Sequence, residues 1–315
     1  AVAYVVVPDL VSDSDGQLEA PRTVSSVTGQ GTGPLATPPS DSSSRVAREQ
    51  AAQARVSGEA GGLPGASEPK RAPAAIVRPP LLDDVPPRFL SQGWNTDFSI
   101  HSVPYGEIRS GGPAPDGIPP IDRPRFIDVA TPPGYMSENE PVIGLEVNGD
   151  ARAYPLSILI SHEIVNDVVG DVPVSITYCP LCNTAIVFDR RVGERVLDFG
   201  TTGNLRKSDL VMWDRQTQSW WQQITGEAIV GELTGAKLAF IPAPVVSWGQ
   251  FRDAYSAGLV LSRDTGFRRN YDLPPYRGYD DLGNTPFLFS GDVDTRLPAM
   301  ERVVSIGVED DLVAF

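Results

Sequence analysis

Both cysteines of the chain stand in one short run, Tyr178-Cys179-Pro180-Leu181-Cys182-Asn183-Thr184. A Cys-x-x-Cys spacing has three physical uses. A tight turn can bring two sulfurs together as a dithiol/disulfide pair. Two thiolates can meet one zinc or copper ion in a knuckle. A plain structural disulfide is the third use, open to a chain in an oxidising compartment. The chain has two histidines. His162, in Ser161-His162-Glu163-Ile164-Val165-Asn166-Asp167, precedes Cys179 across one candidate strand, VPVSITY. Cys179, Cys182 and His162 are therefore the candidate metal ligands, with Glu163 or Asp167 to orient the imidazole from behind. Two thiolates and one imidazole suit copper(I) at three-coordination, or zinc with a water in the fourth place. If the cysteines are disulfide-bonded, His162 is left with a packing role on a short helix. His101, in the extended FSIHSVPYGEI stretch, reads as a solvent or packing residue. A thioredoxin-like mechanism wants the first cysteine at the start of a helix. Here NTAIVFDR follows Cys182 and reads as a strand.

A second group of polar residues lies in 199–226, where Asn204, Arg206, Ser208, Asp209, Asp214, Arg215, Gln216, Gln222 and Gln223 crowd around three tryptophans. Such a stretch lines a cleft, or it is buried ion pairs and packed indoles in a β domain. Ser262-Arg263-Asp264-Thr265-Gly266 follows the apolar run LVL and reads first as a turn. There is no Gly-x-Gly-x-x-Gly, P-loop, His-Glu-x-x-His or Gly-x-Ser-x-Gly. Whether the protein is an enzyme is left open.

These residues must be positioned by a mainly β fold with a few short helices, an α+β arrangement being the alternative. Short β-prone runs at 141–147, 172–178, 185–188, 195–199, 210–213 and 301–308 are broken by turn residues. Asn148-Gly149 is the strongest hairpin signal, and Val192-Gly193 marks a further tight turn. Helices are expected at 155–165, with Pro155 in the first turn, and at 247–257, with Ser247 as N-cap and Trp248, Phe251 and Tyr255 at helical spacing. Residues 143–154 (IGLEVNGDARAY) and 306–315 (IGVEDDLVAF) suggest a degenerate internal repeat, chance similarity between two hairpins being the alternative.

Composition divides the chain. No aromatic residue occurs between Tyr4 and Phe89, and the stretch is rich in Ala, Gly, Pro, Ser and Thr. Residues 1–88 read as an extended or disordered arm, with a weak helix at 44–55 and a short apolar strand at its start. The arm is a linker, or a segment that joins a protein partner or a second copy. Residues 89–315 read as a single compact domain. With 26 Lys+Arg against 40 Asp+Glu, a net charge of -14 and three lysines, the chain lacks the basic clusters of a nucleic-acid binder. No apolar run is long enough to span a membrane, which leaves anchoring by a removed leader open.

The run AYPLSILISHEIVNDVVGDVPVSITYCPLCNTAIVFDR resembles the signature of the DUF3179 family of bacterial and archaeal proteins. The resemblance continues through LDFGTTGNLRKSDLVMWDRQTQSWWQQITGEAIVGELTG, VSWGQFRDAYSAGLVLSRDTG and YDLPPYRGYDD. It covers about residues 90–315. It implies that His162, Glu163, Asn166, Asp167, Cys179 and Cys182 belong together, and likewise Asp189, Arg190, Gly200, Asn204, Asp214, Arg215, Trp221 and Gln222. It implies no settled reaction. Since members often carry signal or lipoprotein leaders, the resemblance implies a protein exported to the cell surface or beyond. The expectation is an exported copper- or zinc-binding or thiol-redox protein. The alternative is a non-catalytic interaction protein of a surface assembly, with the cysteines as a structural disulfide.

Overall fold

Successive side chains of a strand point to opposite faces, and the strand Val172–Cys179 shows what that alternation builds. Val174, Ile176 and Tyr178 enter one apolar cluster, while Cys179 enters another on the opposite face. The neighbouring strands behave alike: Ile164 and Ile186 go with Cys179, and Val165 and Val187 with Val174. This sheet is therefore a central layer, buried on both sides. Its strands run in the order Ala239–Ile241, Thr184–Asp189, Val172–Cys179, Ile164–Val169, all antiparallel.

These positions come from a computed structural model. It describes the strand Val2–Tyr4, residues 79–308 except 280, 290 and 294, and residues 311–314. The expected arm, its helix at 44–55 and any partner contact through it lie almost wholly outside the described residues. Residues 79–88 are already tied to the domain: Leu82 N donates to His101 O, and Asp84 accepts from Tyr105 N at 2.8 Å.

On one side of the central layer lies a five-stranded antiparallel sheet, ordered Glu227–Val230, Trp220–Gln222, Asp209–Asp214, Phe199–Arg206, Ile108–Ser110. Phe199, Leu205, Leu210, Met212 and Trp221 fill the space between the two layers. The other face of this sheet, with Val211, Trp220 and Val230, is covered by Leu90 and Tyr105 from the preceding segment. On the far side of the central layer is a second five-stranded sheet, ordered Val245–Ser247, Pro141–Val147, Asp150–Pro155, Leu259–Leu261, Phe126–Asp128. Ile143, Leu145, Tyr154 and Leu261 face inward, and Trp248 and Phe251 of the helix Trp248–Ala254 cover its outside. Among the described residues the mainly β fold with few short helices is thus three stacked sheets, with a two-stranded ribbon of Arg191–Val192 and Arg195–Val196 and a three-stranded sheet of Val2–Tyr4, Val303–Val308 and Asp311–Ala314 in addition.

Several local expectations hold. Asn148 and Gly149 both take positive φ, 51° and 82°, and join two strands in register from Val147↔Asp150 to Val142↔Pro155; a tight hairpin that fits the strand twist needs this conformation. Ser247 caps its helix in a reciprocal box with Gln250. Gly193 (φ 60°) follows the strand Arg191–Val192, and Gly266 (φ 83°) sits in the 262–266 turn.

The helix expected over 155–165 is cut to Leu156–Leu159. A turn follows, with Glu163 at φ 60°, and Ile164–Val169 is a strand paired with Val172–Cys179. Its β-branched residues gain two buried faces there, which local helix spacing does not anticipate. The two segments of the suggested repeat are both hairpins, but Gly144 faces Ala153 whereas Gly307 faces Leu312.

Candidate metal centre

Three turns supply the site. Cys179 ends the strand Val172–Cys179, and Thr184, its cross-strand partner, begins the next. Between them Pro180 fixes its own φ, and Asn183 takes φ 51°, a conformation asparagine tolerates better than most residues. This brings Cys182 back beside Cys179. The second turn joins Phe199–Arg206 to Asp209–Asp214 through Lys207 and Ser208, both at positive φ, 52° and 68°. Asp209 is the first residue beyond that turn and is 3 % exposed. The third contribution comes from the loop that carries Tyr276 and Tyr279, whose rings pack on the apolar cluster around Cys179.

The two sulfurs and one carboxylate oxygen of Asp209 lie within 4.8 Å of one another, and both cysteines are free thiols. Asp209 Oδ1 is 3.2 Å from Cys182 Sγ. The other oxygen, Oδ2, accepts from Gln222 Nε2 and from the Ile224 amide at 3.1 Å. One carboxylate oxygen is thus fixed from behind while the other faces the thiols. Thr184 Oγ1 lies 2.9 Å from Cys182 Sγ and donates to Gln223 Oε1 at 2.8 Å. Gln223 in turn donates to Thr177 Oγ1 at 2.9 Å. Since the threonine proton is committed to Gln223, Thr184 and an ionised Asp209 compete for the single thiol proton of Cys182. Cys179 Sγ is 3.8 Å from the Ser208 carbonyl.

None of the hydrogen-bond partners of Asp209 is cationic. Burial pushes its pKa up to about 6 against the opposing pull of its hydrogen bonds. Burial likewise raises the Cys182 thiol well above its ordinary value, with Cys179 and Asp209 adding to the effect. Glu163, 5 % exposed, has its pKa raised to about 7, by burial first and by the charge of Asp209, against a hydrogen bond from Tyr276. That bond, Tyr276 OH to Glu163 Oε1, measures 2.7 Å.

His162 stands apart from this cluster. It is fully buried, with Nδ1 2.7 Å from the Pro119 carbonyl and Nε2 2.8 Å from Tyr271 OH. A carbonyl only accepts, so Nδ1 carries the proton and Nε2 accepts from the tyrosine. Burial lowers the pKa of this neutral imidazole. His101 packs on the Tyr105 ring, with centroids 4.3 Å apart, and binds the Val103 carbonyl.

Of the remaining sequence candidates, Gln222 touches the site directly and Glu163 borders it. Asn166 ties two layers together, accepting from Phe199 N and donating to Phe199 O. Asp167 pairs with Arg152 and accepts from Tyr154 OH. Asn204 lies in its sheet opposite Ser110 and Val211. Asp214 closes a turn through Thr217 and holds Trp221 Nε1. Arg215 bridges Asp122 and Asp116. The donor missed as a ligand is Asp209, visible in the sequence only as one member of the polar crowd. Tyr276 was visible only within YDLPPYRGYDD.

A family model described as "Protein of unknown function (DUF3179)" matches residues 115–315. The chain belongs to the DUF3179 family. The DUF3179 span holds Cys179, Cys182, Asp209 and the groups behind them. It leaves out the edge strand Ile108–Ser110, which nevertheless completes the sheet that carries Asp209. No curated protein and no solved structure matches the chain. Among the described residues no helix is long and apolar enough to cross a membrane.

Proposed function

We propose that this protein binds one zinc ion through Cys179, Cys182 and Asp209. The observation that carries the reading is the convergence of two thiols and a carboxylate within 4.8 Å, where no cationic side chain pairs with the acid. Like groups buried together repel once ionised, and a bound cation supplies the missing countercharge. The donor chemistry fits: zinc takes thiolate sulfur and carboxylate oxygen together, whereas copper(I) prefers soft ligands throughout. Asp209 in place of a third soft donor therefore moves the balance from copper to zinc. The bonds from Gln222 and Ile224 orient the ligand oxygen, as outer groups do in zinc sites.

Three protein donors leave a fourth position open, the arrangement of an exchangeable or catalytic zinc. Zinc there supplies a Lewis acid and acidifies a bound water. Glu163, titrating near neutrality and held by Tyr276, is placed to give or take a proton beside it. A thiol-redox role is less well supported, because exchange needs a lowered thiol pKa and Cys182 is pushed the other way. The acidic charge, the three lysines and the family resemblance support a place outside the cytoplasm; recovery of the mature protein mainly from the cytosol would overturn that part.

Cobalt(II) titration tests the ligand set. Thiolate-to-cobalt charge-transfer absorption should saturate at one ion per chain, vanish in the double variant Cys179→Ser/Cys182→Ser, and shift in Asp209→Asn. An unchanged spectrum in Asp209→Asn would remove the carboxylate from the site.

A further inference from the structure

Beyond the strand Leu259–Leu261 the chain enters a loop with three arginines in seven residues, Arg263, Arg268 and Arg269. They line a shallow cleft, widely open to solvent and of about 580 Å³, together with the rings of Phe267 and Tyr271 and a single acid, Asp272. In a chain with 40 acidic against 26 basic residues, this cleft has the opposite sign. Arg263 Nη1 pairs with Asp272 at 2.8 Å, which neutralises one charge. Arg269 spends one donor on a neutral group, the Gly117 carbonyl at 3.2 Å. Arg268 makes no ion pair among the described residues. Among the described residues two guanidinium charges are therefore without an acidic partner on one wall.

The wall is built rather than loose. The Arg263 guanidinium lies 4.0 Å from the Tyr135 ring centroid and 5.8 Å from that of Tyr271, contacts that fix a planar cation. Its Nε is buried and has no hydrogen-bond partner. Tyr271 is fixed in turn, its hydroxyl 2.7 Å from Thr265 Oγ1 and 2.8 Å from His162 Nε2. That sealed Nε anchors no ligand, but the paired guanidinium forks of Arg268 and Arg269 match the oxygens of a phosphate group.

We infer that this cleft binds a small molecule through a phosphate group, held by Arg268 and Arg269 with Arg263 behind them. Two free positive charges balance a phosphate near its dianionic state, and the exposed Phe267 ring offers a face to an organic substituent. The residues lining this cleft include none of the three proposed zinc ligands, and the inference does not rest on that reading.

The test is calorimetric titration of the full chain with inorganic phosphate and with phenyl phosphate, at constant ionic strength set by chloride. Saturable binding, weakened at least tenfold in Arg268→Ala/Arg269→Ala and unchanged in Cys182→Ser, is the expected result. Tighter binding of phenyl phosphate would assign the site to an ester with an aromatic or apolar group; equal binding would assign it to the phosphate alone. Absence of saturable heat with both probes overturns the proposal. So does binding that survives the double arginine change or disappears with Cys182→Ser, since the anion then sits elsewhere or on the metal. Exposed Arg268 and Arg269 can be replaced without opening the core.

Discussion

Asp209 has two separable roles: it presents Oδ1 to the thiols, and it is an acid buried without a cation. Replacing Gln222 with Ala removes a bond to the far oxygen and leaves all three donors in place. Loss of such an orienting group typically weakens a zinc site 10–100-fold, and competition with a chromophoric chelator would read the drop. The buried acids also set a pH dependence. Folding raises Glu163 from 4.5 to about 7 and Asp209 from 3.8 to about 6. The folded state thus holds protons that the unfolded chain has released. This stabilisation is full below the unfolded values and is lost as pH rises through the folded ones. Metal-free protein should therefore lose stability between about pH 4 and about pH 7, by at most roughly 3 kcal/mol from Glu163. Glu163→Gln should flatten its part of the slope in urea unfolding. The proposed zinc binding should run the other way, strengthening as pH rises because its ligands must shed protons.

Among the elements, the helix Trp248–Ala254 offers a clean control. It covers the outer face of the sheet remote from the thiols, and Ser247→Ala removes its capping box. The expected cost is about 1 kcal/mol of stability, seen as a lower denaturant midpoint with zinc content unchanged. That helix was readable because its cap and its Trp248/Phe251 spacing are local. Asn148-Gly149 was readable for the same reason. The turn at Lys207-Ser208 was not: neither residue is the Gly, Asn or Asp that usually marks positive φ. Without that turn, nothing in the sequence places Asp209 at the start of a strand facing Cys182, 27 residues away. His162 was attractive because it is near Cys179 in the chain. Strand alternation would put residue 162 on the Cys179 face with Ile164, but the positive φ of Glu163, 60°, breaks the alternation. The turn before Ile164 carries the imidazole to Tyr271 instead.

In the whole molecule, the central sheet is the structural hinge of the site, since its two faces meet different partners. Asn166 bolts it to the neighbouring sheet by accepting from Phe199 N and donating to Phe199 O. Asn166→Ala strands two buried backbone groups and should cost about 3 kcal/mol, measurable by thermal or chemical unfolding. The variant should be more stable with zinc than without it, because the proposed zinc would join donors from both of those sheets and stabilise the folded state by mass action. The expected boundary at residue 89 and the role of the arm concern residues mostly outside the described ones. The three-sheet body, with Cys179 buried and Cys182 half-buried, is described independently of them. The most direct measurement is elemental analysis of protein purified without added metal, paired with titration of free thiols before and after chelation. A zinc protein gives close to one zinc per chain, two thiols that become reactive only once the metal is removed, and no zinc in Cys182→Ser. Protein with no metal and no titratable thiol, its cysteines joined as a disulfide, would contradict the zinc site outright.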